Sequence, residues 1–417
     1  MKKSFLVLIV AAVMFSLFGP IYSATTLTVW AVDGQNASDP SQAYAINLKK
    51  DFEAKNPDIK LDWTGFGSAN NALNQKLTTA IANDQGPDVF QSWGGNFMGQ
   101  FADADKLMDL TAEVNAMPFS VAAKSAMTWK GKTYGIAPFF GIAGLFVNDG
   151  LFKKMGLKVP TTLDELDAVA AKLKAAGIQP FAVGDKDKWP LLQFYMYMVN
   201  RYGGDVFSDA VARKVSFDSD AFLKAGKKIQ EWTKKGYFGD KPLAEGYGDA
   251  QLLMQTGKAG MQVSGSWLCG TYSDKKSTEQ TIAFYAFPVV KGGKGLATDV
   301  MGMTDIGFVA NKASAAKKDA IIRFMKYALS PEALSKDPGR VASVAGVKAA
   351  NPITGMATGV FSKGKFVQFW WDQNLPSAVS GPINDTIQTF LMPDSDVKAS
   401  LAKYEALYTE NVGPVKK

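Results

Sequence analysis

Histidine is absent from the 417-residue chain, and cysteine occurs once, as Cys269. Without histidine the chain cannot build a Ser-His-Asp triad, a Cys-His nucleophile, a histidine-ligated zinc site or an imidazole acid–base catalyst. A single cysteine excludes an internal disulfide and a cysteine cluster for zinc or iron–sulfur binding. Any catalytic chemistry would therefore depend on carboxylates, lysine, tyrosine or an external cofactor.

Arginine is also scarce. Only four of the 46 basic residues are Arg, and the lysines are spread along the chain without a basic block, giving a formal net charge of +7. Recognition of phosphate and guanine favours arginine, and nucleic-acid binding favours clustered positive charge. We therefore interpret the positive balance as a solvated, lysine-rich surface and expect no nucleic-acid partner.

Long hydrophobic runs are confined to the N-terminus. A charged start precedes an apolar run over 5–18, which Gly19 and Pro20 break before small residues follow. This pattern is typical of an export signal, so we expect a cleaved signal peptide at 1–23. The run falls short of the roughly 20 residues that cross a bilayer. No cysteine lies near the cleavage zone, which excludes a lipoprotein, and the mature protein is expected to be periplasmic or extracellular.

Strand and helix patterns alternate along the mature chain. Helical spacing of apolar residues separates strand-like segments at 25–32, 59–63 and 88–90. Alternation of this kind is typical of a parallel sheet covered by helices. Further on, Thr162 and Glu165 form a capping box for a helix that Gly177 closes. The expected fold class is α/β, without a Pro/Ser-rich linker.

Aromatic residues follow several predicted strands within glycine-containing turns. In open α/β sheets the ligand crevice lies at the carboxyl ends of strands. Glycine permits close approach of the backbone there, and Trp offers a flat face for the apolar side of a sugar ring. Asp, Asn and Gln at the rim can bond its hydroxyl groups. The turns are Ser92-Trp93-Gly94-Gly95, Phe139-Phe140-Gly141 and Gly265-Ser266-Trp267, and a fourth cluster is Phe369-Trp370-Trp371-Asp372.

Enzymatic alternatives leave weaker patterns. Neither G-x-G-x-x-G after a strand nor G-x-x-x-x-G-K-[ST] occurs in the right context for nucleotide binding. A glycosidase needs two carboxylates across a cleft, and Asp88, Asp305 and Asp372 are candidates. Asp88 follows Gly-Pro and is expected to bond nearby backbone amides instead. A carboxylate-only glycosidase or lyase stays open, but we expect no enzyme, no metal and no cofactor.

Five segments in order resemble the extracellular solute-binding proteins of ABC sugar importers, the group that includes maltose-binding protein. The similarity covers essentially the whole mature chain, with Val147 replacing a usual Tyr, Gly260 replacing an Ala and one extra residue before Pro138. The segments are F-E-A-K-N-P at 52–57, G-P-D-V at 86–89, G-K-T-Y-G-I-A-P at 131–138, the stretch from Asn148 to Thr162, and G-K-A-G-M with G-S-W between 257 and 267.

The resemblance implies a two-lobed periplasmic-binding-protein fold of type II, with each lobe a sheet flanked by helices and the ligand in the cleft between them. By this analogy the first lobe holds 25–142 and 303–345, and the second lobe holds 143–302 and 346–417. Several chain crossings join the lobes, which close over the ligand by a hinge motion.

The resemblance also implies the function. We expect a substrate-binding protein that captures a neutral mono- or oligosaccharide, most similar to raffinose or xylobiose binders, and delivers it to a membrane permease as a monomer. A binder of glycerophosphodiesters or another anionic solute stays open as an alternative. The residues that these patterns assign to the ligand are Trp30, Trp93, Gly94, Gly95, Phe140, Trp189, Tyr247, Ser266, Trp267, Trp371 and Asp372.

Overall fold

A computed structural model describes residues 24–34, 43–66, 70–117, 121–302, 306–337, 339–364 and 366–416. The predicted signal peptide at 1–23 and the candidate carboxylate Asp305 lie outside the described residues. The strands are β1 Thr25–Ala31, β2 Ile59–Gly65, β3 Val89–Ser92, β4 Thr128–Trp129, β5 Lys132–Thr133, β6 Gly135–Ile136, β7 Phe139–Phe140, β8 Ala143–Asn148, β9 Gln179–Phe181, β10 Ala259–Gly265, β11 Ile282–Tyr285, β12 Asp299–Met301, β13 Gly307–Ala310, β14 Val341–Ala342 and β15 Phe366–Gln368.

Helices pack between and around these strands. They are α1 Ala43–Lys55, α2 Asn70–Ala82, α3 Gly95–Asp103, α4 Thr111–Asn115, α5 Val121–Ala126, α6 Asp149–Lys154, α7 Leu163–Ala175, α8 Pro190–Gly203, α9 Val206–Val211, α10 Asp220–Lys234, α11 Tyr247–Gln255, α12 Cys269–Ser273, α13 Lys318–Ala328, α14 Pro331–Leu334, α15 Pro352–Ser362, α16 Trp371–Asn374, α17 Ser377–Gln388 and α18 Val397–Val412.

The first lobe is built on a five-stranded sheet in the order β2-β1-β3-β13-β6. The first three strands are parallel, as the alternation of strands and helices predicts, and β13 adds antiparallel to β3. All four residues of β3 are buried, because helices cover both faces of the sheet's centre. Phe52 of α1 packs edge-on against Phe324 of α13, so the first and a late helix share one core.

The second lobe is built on a four-stranded sheet in the order β11-β8-β10-β9. Its central strands β8 and β10 run antiparallel, and β9 pairs parallel with β10. The helix α7 begins at the predicted capping box, in which Thr162 and Glu165 satisfy each other's backbone amides. Helix α8 is buried along almost its whole length, between α10 on one side and the sheet on the other.

Among the elements that the structure describes, the chain passes between the two sheets three times, from β6 to β8, from β12 to β13 and from α14 to α15, and we call these connections the crossing segments. A small ladder and an isolated bridge tie these segments together, since β7 pairs with β14 and Ile142 pairs with Gly302. The lobes are therefore interlaced rather than consecutive. The lobe limits of 25–142 with 303–345, and 143–302 with 346–417, remain a prediction. Within the described part of the chain, none of the helices has the length and apolarity needed to cross a membrane.

Candidate ligand-binding site

Two strands end at the junction between the sheets. Ser92, the last residue of β3, pairs with Gly307, the first residue of β13. Gly265, the last residue of β10, pairs with Ala143, the first residue of β8. Because β8 and β13 both begin directly after a crossing segment, the carboxyl ends of β3 and β10 both lie beside the crossings. The turns that follow these strands, which carry Trp93 and Trp267, therefore flank the cleft between the lobes.

Four aromatic side chains meet at the second-lobe side of this cleft, and we call them the aromatic cluster: Trp189, Tyr247, Trp267 and Trp370. The ring of Trp189 lies 4.5 Å from that of Tyr247 and 6.1 Å from that of Trp267, measured between centroids. Trp370 lies 6.0 Å from Trp267. Trp189, Tyr247 and Trp267 are half-buried, and Trp370 is 5% exposed. The cluster thus has a closed floor and partly open faces.

Hydrogen bonds fix the orientation of the aromatic cluster. The indole Nε1 of Trp267 donates to the hydroxyl oxygen of Tyr247 over 2.7 Å, and that hydroxyl also lies 2.8 Å from Oγ of Ser264. The main-chain N of Tyr247 donates to Oδ2 of Asp187 over 2.8 Å, which holds the start of α11 against the loop before α8. The rings of Trp267 and Tyr247 are therefore preorganised, and a ligand stacking on them would meet little loss of side-chain freedom.

On the first-lobe side, two predicted residues sit in separate aromatic pairs. Trp30, near the carboxyl end of β1, packs 5.7 Å from Phe66, and Nζ of Lys76 lies 4.7 Å from the Trp30 ring centroid. Trp93 packs 5.8 Å from Phe97 at the start of α3. Both tryptophans are half-buried. Since β1 and β3 are parallel neighbours, both pairs lie at the same edge of the five-stranded sheet.

Backbone conformation and close packing explain why glycine occurs at Gly94 and Gly95. Their φ angles are 73° and 51°, a region that residues with a side chain rarely adopt. A Cβ at Gly94 would collide with the carbonyl oxygen of Ala126, and one at Gly95 with the carbonyl oxygen of Gln373. Gly94 lets the start of α3 approach the end of α5, Gly95 lets it approach α16, and the contact of both glycines with a ligand remains a prediction.

Phe140 and Ser266 are buried at the crossings rather than placed in the aromatic cluster. The ring of Phe140 lies 4.5 Å from that of Phe361 on α15. Oγ of Ser266 donates to the carbonyl oxygen of Phe140 over 3.2 Å and accepts from the main-chain N of Ile142 over 3.3 Å. Both residues join the end of β10 to the first crossing segment.

Trp371 lies in the second-lobe core. Its side chain is fully buried and stacks 4.4 Å from Phe207 with the rings nearly parallel, and its Nε1 donates to Oε1 of Gln368 over 2.9 Å. The neighbouring residue Asp372 is half-buried as a whole, with its carboxyl on the buried side. Burial raises its pKa to about 6, opposed by hydrogen bonds from the main chain at Gln373 and from Asn384. The structure therefore puts Trp370, and not Trp371, beside Trp267.

Sequence reasoning missed Trp370, Phe66 and Phe97. Trp370 belongs to the Phe-Trp-Trp-Asp run that the sequence marks, but two consecutive tryptophans give no periodicity that tells which one faces the cleft. Phe66 directly follows β2, so the rule that ligands lie beyond the carboxyl ends of strands was the signal that pointed to it. Phe97 lies inside α3, where no such rule applies.

The four arginines are engaged with groups of the chain itself. This matters because arginine is the side chain best suited to bind phosphate or carboxylate oxygens in two-point fashion. Their partners are the carbonyl oxygens of Phe287, Pro288 and Asp299 for Arg201, Glu405 for Arg213, Asp58 for Arg323, and Asp33 with Asp337 for Arg340.

Comparison with known families decides the classification. The model of the bacterial extracellular solute-binding protein family matches residues 36–334, which is more than half of the 417-residue chain. The chain belongs to this family. The two-lobed architecture, with its interlaced crossings and its cleft, is thus the type II fold that the resemblance implied.

Individual relatives of this solute-binding protein are distant. A multiple sugar-binding protein of Streptococcus mutans is 24% identical over 310 residues, covering 72% of this chain and 71% of that protein. An uncharacterized ABC transporter extracellular-binding protein of Pyrococcus horikoshii is 28% identical over 264 residues, and the match spans 60% of this chain and only 58% of that protein's length. A solved structure concerned with xylan utilization by the thermophilic bacterium Caldanaerobius polysaccharolyticus has a TM-score of 0.83 at 26% identity, covering 91% of this chain and 99% of that chain.

Asp88 has a structural role in this solute-binding protein. Its Oδ2 accepts from the main-chain N of Thr28 over 2.7 Å and from Nζ of Lys317 over 2.8 Å, and its Oδ1 accepts from Oγ of Ser314 over 2.6 Å. Burial disfavours the ionised carboxylate, but these hydrogen bonds outweigh it and lower the pKa of Asp88. The expected bond to a backbone amide is confirmed, and the carboxylate ties β1 to the segment before α13.

Proposed function

We propose that the chain captures a neutral mono- or oligosaccharide in the cleft between its lobes and delivers it to a membrane permease of an ABC transporter. The observation that carries this proposal is the aromatic cluster at the end of β10, in which three rings are half-buried and two of them, Trp267 and Tyr247, are held in place by hydrogen bonds. Flat aromatic faces suit the apolar side of a sugar ring. The protein would act outside the cytoplasm, after export, as a monomer.

A neutral ligand is favoured over an anionic one. Each of the four arginines already bonds a carboxylate or carbonyl group of the chain, away from the aromatic cluster. A phosphodiester would need charge-assisted partners to offset its loss of hydration. The arginines therefore give the anionic alternative no support.

Binding without turnover is favoured over glycoside hydrolysis. Asp88 is occupied by three donors and ties elements of the first lobe together. Asp372 belongs to the four-residue helix α16 and directly follows Trp371, which is buried in the second-lobe core. The family to which the chain belongs consists of solute-binding proteins.

A ligand screen tests the proposal. The mature protein is heated with glucose, xylobiose, raffinose and glycerophosphocholine in separate samples, and the unfolding temperature is recorded. A ligand that binds only the folded state raises this temperature by mass action, so we expect a rise with at least one sugar and none with the phosphodiester. A rise with glycerophosphocholine alone would contradict the neutral-ligand proposal. Sustained release of reducing ends from the stabilising sugar would contradict binding without turnover.

A further inference from the structure

Gln193 is a buried amide without a hydrogen-bonding partner. Its side chain is 2% exposed, and neither Oε1 nor Nε2 has a partner among the described residues. Buried side-chain polar groups in folded proteins are nearly always hydrogen-bonded, and a free amide can make several such bonds. Both ends of this amide are therefore available to a group that the described residues do not supply.

The other buried glutamines of the described chain show that this arrangement is particular to Gln193. Oε1 of Gln91 accepts from the main-chain N of Val32 over 2.7 Å, and Oε1 of Gln368 accepts from Trp371 over 2.9 Å. Oε1 of Gln262 accepts from the hydroxyl of Tyr272. Each of these three amides has a partner that explains its burial, and Gln193 has none.

The position of Gln193 on α8 places it between the aromatic cluster and the crossings. Residues four apart on a helix share a face, so Trp189, Gln193 and Tyr197 lie in one row. At one end of the row, the ring of Trp189 packs on the aromatic cluster. At the other end, the hydroxyl of Tyr197 donates to the carbonyl oxygen of Ala143 over 2.7 Å and lies 3.4 Å from the main-chain N of Met301.

Both ends of this row lie near residues that adjoin the crossing segments. Ala143 begins β8 directly after the first crossing, and Met301 ends β12 directly before the second. The next residue, Gly302, packs so closely on Trp370 that a Cβ there would contact the indole ring. Gln193 thus lies on α8 between a residue of the aromatic cluster and a tyrosine that contacts residues beside two crossing segments.

We propose that Gln193 is a specificity-determining residue that binds a hydroxyl group at the innermost end of the ligand. This rests on the proposed function. The amide Nε2 donates to the hydroxyl oxygen while Oε1 accepts the hydroxyl proton. A sugar hydroxyl can serve both atoms, whereas the ionised oxygens of a phosphodiester can only accept. The inner end of the ligand is therefore a neutral, hydroxyl-bearing sugar ring.

The test compares stability and binding in one pair of variants. Gln193→Met keeps the length of the side chain and removes an amide that bonds nothing in the free protein. The midpoint of urea unfolding of the free protein is therefore expected to stay the same or rise. The dissociation constant for the sugar that most stabilises the wild type, chosen from glucose, xylobiose and raffinose, is expected to increase by about tenfold or more.

Gln262→Met is the matched control. It removes a buried amide that bonds Tyr272, so it is expected to lower the urea midpoint and to leave sugar affinity within about twofold. Equal sugar affinity in wild type and Gln193→Met would overturn this inference alone. A loss of stability in Gln193→Met as large as in Gln262→Met, or failure of that variant to fold, would show a partner within the protein and would also overturn it. Binding of none of the three sugars by the wild type would overturn the proposed function, and this inference with it.

Discussion

At the scale of single residues, two tryptophans that the sequence assigns to the same role have different surroundings. Trp267 is half-buried in the aromatic cluster, with its Nε1 bonded to Tyr247. Trp371 is fully buried, with Phe207 stacked on its ring. Replacing each by alanine should therefore produce different effects on binding and on folding.

We predict that Trp267→Ala weakens sugar binding by about 1–3 kcal/mol, the scale of burying one large apolar side chain. Trp371→Ala is expected to lower the free energy of unfolding by about 3–5 kcal/mol, because it leaves a large cavity in the second-lobe core. Isothermal titration calorimetry with the stabilising sugar and urea unfolding measure the two quantities. Unchanged affinity in Trp267→Ala would remove the aromatic cluster from the site.

Asp185, in the loop before α8, is expected to make the stability of the protein depend on pH. Its side chain is fully buried, its Oδ1 accepts from the main-chain N of Leu191 over 2.9 Å, and its Oδ2 has no partner among the described residues. Burial raises its pKa from near 3.8 to about 8, with a smaller contribution from Asp187. Because the folded pKa lies above the unfolded one, the contribution of this carboxyl to stability is lost as pH rises from about 4 to about 8.

Asp185→Asn cannot ionise, so its free energy of unfolding relative to the wild type should rise between pH 5 and pH 8. Urea unfolding at both pH values measures this difference. Asp88→Asn is the control, because the lowered pKa of Asp88 places its titration below this window. That variant should lose about the same stability at pH 5 and at pH 8. A pH-independent difference for Asp185→Asn would contradict the account.

The positions of some candidate site residues could be predicted from the sequence for a physical reason. Trp30, Trp93 and Trp267 lie at or just after the carboxyl ends of strands, where ligands of α/β folds gather. The choice between Trp370 and Trp371 depends on how a four-residue helix packs against the second-lobe core. That packing is set by Phe207 and Tyr195, which are distant in sequence and leave no local signal.

At the scale of elements, α8 connects the aromatic cluster to the crossings. Trp189 immediately precedes the helix, and Tyr197 in its middle bonds Ala143 and lies beside Met301. Tyr195, on the opposite side, donates to the carbonyl oxygen of Phe222 over 3.0 Å, within the second lobe. Two buried hydroxyl groups on one helix thus bond different parts of the molecule.

Tyr197→Phe and Tyr195→Phe should therefore separate hinge geometry from stability. Tyr195→Phe loses one buried hydrogen bond and Tyr197→Phe loses two, and each lost bond costs about 0.5–1.5 kcal/mol of unfolding free energy. Only Tyr197→Phe is expected to change the distribution of distances between the lobes, measured by pulsed electron paramagnetic resonance with labels on Lys132→Cys and Lys224→Cys. Buried Cys269 does not compete for labelling. Identical distributions in both variants would show that the Tyr197 hydroxyl does not control the crossings.

Long elements with strong local patterns are predictable, and short ones that depend on distant partners are not. The capping box at Thr162 and Glu165 is confirmed, as is the strand β1. The two-residue strands β7 and β14 pair with each other across about 200 residues of chain. Their pairing depends on how the lobes assemble, so local strand propensity does not predict these two strands.

At the scale of the whole molecule, the interlaced chain explains how two lobes can act as one binding unit. Three crossing segments pass the same junction, and the carboxyl ends of β3 and β10 both lie beside it. A ligand held there contacts both lobes only when they approach each other, so its binding favours the closed form.

Small-angle X-ray scattering of the mature protein, with and without its stabilising sugar, tests this central claim most directly. If the sugar binds between the lobes and draws them together, the radius of gyration falls when the sugar saturates the protein, and Trp267→Ala needs more sugar to reach the same decrease. A radius of gyration that stays constant while calorimetry shows saturation by the sugar would contradict binding in the cleft by lobe closure.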